Sequence, residues 1–76
     1  MSNKLRRVKY DELLRALKRA GYKEQRQRGS HIRLWRESDQ RQITTVFHKG
    51  KDVPIGTLRA ILKDAGIEPD EFRKLL

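Results

Sequence analysis

"GSHIRLWRESDQRQITTVFH", residues 29–48, is the stretch on which the fold turns. Within it "HIRLWR" (31–36) alternates, with Ile32 and Leu34 to one side and His31, Arg33 and Trp35 to the other. That two-residue period is the mark of a strand with one covered face. "QITTVFH" (42–48) is β-branched and aromatic, as strands favour, and "ESDQRQ" (37–42) is polar enough for a hairpin loop. Upstream, "YKEQRQR" (22–28) has almost no apolar residue, so it fits only an edge strand or an extended segment.

Helical patterns flank this region. From Tyr10, residues Leu13, Leu14, Leu17 and Ala20 share a face, Asp11 and Glu12 occupy the first turn, and Gly21 supplies a stop. A second helix reads from Pro54, with Ile55, Leu58, Ile61, Leu62 and Ala65 as its apolar stripe and Gly66 as its end. "LKRAGY" (17–22) and "LKDAGI" (62–67) share one capping chemistry: a glycine able to take positive φ, then an apolar residue that folds back on the helix. "EPDEFRKLL" (68–76) adds a short last helix opened by Pro69. The expected architecture is α+β: helix, three-stranded antiparallel sheet, helix and a short C-terminal helix, with the helices on one sheet face and the other face open. Residues 1–9 read as a basic, irregular arm, and 10–76 as one domain.

Composition narrows the function. A chain of 76 residues holds a thin core, since a domain of this size buries only about 60–65% of its unfolded surface. Without cysteine there are no disulfides, thiolate metal sites or cysteine nucleophiles. No apolar run approaches a membrane span, and the basic N-terminus lacks the apolar core of a secretory signal, so a soluble cytoplasmic protein is expected. Nineteen Lys and Arg against ten Asp and Glu give a net charge of +9, which favours a nucleic-acid partner and also suits an acidic protein.

The residues with chemistry converge on the open face. His31 would stand there between Arg28 and Arg33, a titratable imidazole among guanidinium groups. RNA cleavage needs a base to take the 2′-hydroxyl proton, an acid for the leaving oxygen and cations to hold the phosphorane charge, and histidine can supply either proton role. Arg26, Arg28 and Arg33 are candidate phosphate ligands, Gly29 would admit close backbone approach, and Ser30 offers a hydroxyl. The competing reading is a surface histidine beside an ordinary Gly-Ser turn. His48 could assist, bind phosphate or cap a loop. Lys49 and Lys51, around Gly50, form either a phosphate clamp or a solvated turn. Trp35 could stack a base or belong to the core. Two histidines without a ligand motif give no metal site, and no cofactor is expected.

The order "LLRALKRAGY", "RQRGSHIRLW", "VFHKGKDVPIGTLRAILKDAGI" and "EPDEFRKLL" resembles the HicA toxin family of bacterial and archaeal toxin–antitoxin pairs, from about Tyr10 to Leu76. Its most specific elements are Gly29-Ser30-His31 and the "GTLRAILKDAG" helix. The resemblance implies a fold like a double-stranded-RNA-binding domain and a ribosome-independent mRNA interferase activity. It places the catalytic role on His31 and implies a HicB-like antitoxin that covers this region. Where the family often shows V-P-x-H, this chain has "TVFH" (45–48): His48 matches, and no proline precedes it. The expected function is therefore a metal-independent endoribonuclease toxin acting on mRNA. Two alternatives stand beside it: a non-catalytic RNA-binding module, and a subunit whose basic surface meets only an acidic protein.

Overall fold

The computed structural model describes residues 5–76. Its order is α1 (Tyr10–Arg19), β1 (Lys23–Arg28), β2 (His31–Arg36), β3 (Arg41–Val46), α2 (Ile55–Ala65) and α3 (Pro69–Leu75). The three strands form one antiparallel sheet in the order β1-β2-β3. This is the α+β arrangement that the alternation in residues 31–36 and the flanking helical stripes require.

Ile32 and Leu34 of β2 and Ile43 of β3 are buried, and they meet Leu13, Ala16 and Leu17 of α1 and Leu58, Ile61, Leu62 and Ala65 of α2 in one core. Phe72 of α3 is fully buried in the same cluster. The helices thus cover one sheet face, and the alternate residues are turned away from the core.

Both long helices end alike. Tyr22 N–H bonds to Leu17 O (3.0 Å) and Gly21 N–H to Lys18 O (3.0 Å); Ile67 N–H bonds to Leu62 O (2.9 Å) and Gly66 N–H to Lys63 O (3.2 Å). This paired pattern satisfies carbonyls that a helix end leaves free, and it needs the left-handed conformation that Gly66 adopts at φ 71°. The apolar residue after each glycine, Tyr22 or Ile67, is buried, as the shared signature requires.

The basic arm expected over residues 1–9 is, from Leu5 onward, part of the packed domain; residues 1–4 lie outside the described residues. Leu5 and Val8 are buried in the core, and Val53 N–H bonds to Val8 O at 2.8 Å. Lys9 bridges to Asp52 in antiparallel fashion. Two apolar side chains in a basic stretch suffice to tie the segment down. At the start of α1 the Glu12 carboxylate accepts the Lys9 backbone N–H (3.0 Å) and pairs with Arg6 (3.1 Å). Those two bonds, the backbone one foremost, hold Glu12 below its ordinary range.

A second anchor lies at the far end of the sheet. Arg36 ends β2 on the helix side, its guanidinium carbon 4.6 Å from the centre of the Tyr22 ring. It donates to Ala20 O (3.2 Å) and Ala65 O (3.3 Å), carbonyls at the ends of α1 and α2, and pairs with Asp39 at 2.7 Å. Arg41 donates to Asp64 O (3.0 Å) and also meets Asp39 (3.2 Å). The buried Tyr22 hydroxyl donates to Ala65 O at 2.8 Å. One loop aspartate and two arginines therefore lock both helix ends to the hairpin.

Candidate nucleic-acid interface

The ladder fixes which side chains share the open face. Across β1 and β2 the partners are Arg28–His31, Arg26–Arg33 and Lys23–Trp35; across β2 and β3 they are His31–Val46, Arg33–Thr44 and Trp35–Gln42. Directly paired residues of an antiparallel sheet point to one side. Three transverse rows result: Arg28, His31, Val46; Arg26, Arg33, Thr44; Lys23, Trp35, Gln42.

A β-bulge between Glu24 and Arg26 makes this alignment possible. In a regular strand, positions 23 and 26 fall on opposite faces. The extra residue, Gln25, absorbs one step and brings Lys23 to the side that already holds Arg26 and Arg28. Glu24 points the other way and pairs with Lys18 of α1 at 3.3 Å. Every residue of β1 is exposed, so nothing in its sequence marks the phase of the pleat.

Arg26, Arg28, His31, Arg33 and Thr44, with Ile32 behind them, line a shallow open cleft of about 190 Å³. Four of the expected site residues are thus brought together. Thr44 is an addition, and the only signal for it was its register opposite Arg33. Like charges facing each other across the ladder cost stability, yet they concentrate positive potential on the one imidazole of this face. An anion held between Arg26 and Arg33 would lie one row from His31.

The other expected residues are placed differently. Gly29 and Ser30 form the two-residue turn between β1 and β2. Gly29 adopts φ 58° with no atom within 4 Å of an added Cβ, so glycine is required by the turn's backbone and not by crowding. Ser30 O accepts Phe47 N–H at 2.7 Å, extending the ladder past β3. Trp35 is half-buried on the open face, two rows from His31, and does not belong to the core cluster.

His48 is exposed, does not line the cleft, and stands edge-on to Tyr10 of α1, with ring centres 5.4 Å apart. Lys49 and Lys51 also lie away from the cleft lining, in the turn that follows. Lys51 N–H bonds to His48 O (3.1 Å), and Lys51 O accepts Tyr10 N–H (3.0 Å). This turn positions the start of α1 through its backbone.

Among the described residues, no group of three or more His, Cys, Asp or Glu side chains could hold a metal ion, and no helix is long and apolar enough to cross a membrane. No curated protein matches the chain. A family model described as "HicA toxin of bacterial toxin-antitoxin" matches residues 10–67, which run from the first residue of α1 through the cap of α2 and include the whole sheet. The chain belongs to the HicA toxin family, the toxin half of bacterial toxin–antitoxin pairs.

Proposed function

We propose that this toxin is an endoribonuclease that cleaves mRNA at the cleft around His31. The observation that carries the reading is the convergence of one imidazole and three guanidinium groups on the open sheet face. Arg26, Arg28 and Arg33 hold the phosphate and offset the charge that builds on it in the transition state. His31 takes the proton of the neighbouring 2′-hydroxyl. The 2′-oxygen then bonds to phosphorus, the bond from phosphorus to the 5′-oxygen breaks, and that oxygen leaves with a proton from water. The products are a 2′,3′-cyclic phosphate and a 5′-hydroxyl, and the positive charge the reaction needs comes from arginine. A cognate antitoxin of the HicB kind silences the toxin by covering this face, where its own acidic groups would find the arginines.

The test is incubation of a long RNA in EDTA with the wild-type protein and with His31→Ala, both first shown folded by circular dichroism. Cleavage by the wild type alone, leaving cyclic phosphate ends, is expected. Binding without cleavage by both proteins would instead make this face that of an RNA-binding module. Cleavage by His31→Ala at the wild-type rate would remove the histidine from the mechanism.

A further inference from the structure

We propose that the substrate is single-stranded RNA lying along the strands, with one base stacked on Trp35 two nucleotides from the cleaved phosphate. This deepens the ribonuclease reading above and rests on it. The three open-face rows place His31 in the first, Arg26 and Arg33 in the second, and Lys23 and Trp35 in the third. Successive rows are two residues apart along a strand, roughly 6.6–6.8 Å. That spacing is comparable to the distance between neighbouring phosphates of an extended single strand, so each row matches one nucleotide.

The chemistry of the third row differs from that of the other two. Its indole is flanked by Lys23 on β1 and Gln42 on β3. A large aromatic ring outside the core and on the sheet face is a stacking platform, and a neighbouring ammonium group can hold the phosphate of the same nucleotide. Gln42 supplies an amide able to pair with a base edge. The bulge at Gln25 is what puts Lys23 in this row. Without it, Lys23 would face the helices, and the indole would lose its cation. A duplex cannot use such a row, because its bases are already stacked on one another and shielded.

Trp35 is the chain's only tryptophan, so its fluorescence reports on this row alone. The probe is an unlabelled single-stranded 2′-O-methyl RNA, which has no free 2′-hydroxyl to react, titrated into the wild-type protein. Binding is followed independently by calorimetry. Strong quenching that saturates together with the calorimetric signal is expected, as is little quenching by the same sequence as a duplex. Trp35→Ala should weaken single-strand binding roughly five- to a hundred-fold, with Trp35→Phe recovering much of the loss. Calorimetric saturation without a fluorescence change would overturn the stacking row and leave the His31 cleft standing, as would unchanged affinity in Trp35→Ala. Absence of any RNA binding would overturn both.

Discussion

Arg26 and Arg33 face each other directly across the β1–β2 ladder, two like charges in one row of an open sheet face. Neither side chain gains stability from the other, and a chain selected only to fold would not place them so. The pairing becomes favourable when an anion lies between them.

Arg33→Gln should therefore move stability and binding in opposite directions. Removing one member of a like-charged cross-strand pair raises stability by about 0.2–1 kcal/mol, and added salt diminishes the gain by screening the pair in the parent protein. The same change should weaken single-stranded RNA binding. It should also lower the dependence of log affinity on log salt by about 0.7, the share of one neutralised phosphate. Thermal melts and salt titrations of the two proteins check both halves, and a destabilised variant would refute the first.

Tyr22→Phe removes the hydroxyl that donates to Ala65 O while keeping the ring beneath Arg36. The expected cost is about 0.5–1.5 kcal/mol, because the carbonyl retains a second donor in Arg36. A loss of several degrees in the melting midpoint is expected for a domain of this size.

Val8→Ala tests whether the N-terminal segment belongs to the domain. Val8 is 1% exposed, and deleting its two methyl groups should cost about 2 kcal/mol. A solvated arm would tolerate the change without effect. Urea unfolding distinguishes these outcomes through the midpoint.

The acid limb of stability should depend on Asp39. Hydrogen bonds from the Arg36 guanidinium, first, and the Arg41 backbone N–H hold its carboxyl well below the usual carboxylate range. A carboxyl depressed in the folded state contributes stability above its unfolded pKa of about 3.9 and loses that contribution as pH falls toward the folded value. Asp39→Asn should be less stable than the wild type at pH 7, and the gap should close progressively below about pH 4. A gap that is constant with pH would show that the loop needs the shape of Asp39 rather than its charge.

The hairpin was legible because Ile32, Leu34 and Ile43 alternate with polar residues and each buries its side chain, so burial leaves its period in the sequence. The helix ends were legible in "LKRAGY" and "LKDAGI" because glycine and the apolar residue after it each have a physical task there. Arg28 and Arg33 were legible as sequence neighbours of His31, whereas the ladder is what sets Arg26 opposite Arg33. The phase of β1 at Lys23 was not legible, since "KEQRQR" contains no residue that cares which face it takes. Leu5 and Val8 are too few to form a period, and cations surround them. Arg36 reads as one more strand cation, and only the return of two helix ends to the same spot shows what it holds. Lys49 and Lys51 read in sequence as either a phosphate clamp or a solvated turn and His48 as a helper, a phosphate ligand or a loop cap, and the backbone of this turn accepts the first N–H of α1.

The exposure of every β1 side chain has a consequence for how such a protein can change. A strand with no side chain in the interior can exchange its residues without disturbing the core; what changes lies in surface pairs such as Arg26–Arg33 and Lys18–Glu24. Its ladder partner, β2, holds it by backbone bonds, which are indifferent to side-chain identity. On the reading proposed above, preference for one RNA or one antitoxin can thus drift in β1 with shifts in stability no larger than a surface cross-strand pair supplies. If the cognate antitoxin covers this face as proposed, β1 is the segment where the two partners can co-evolve with least disturbance of the core.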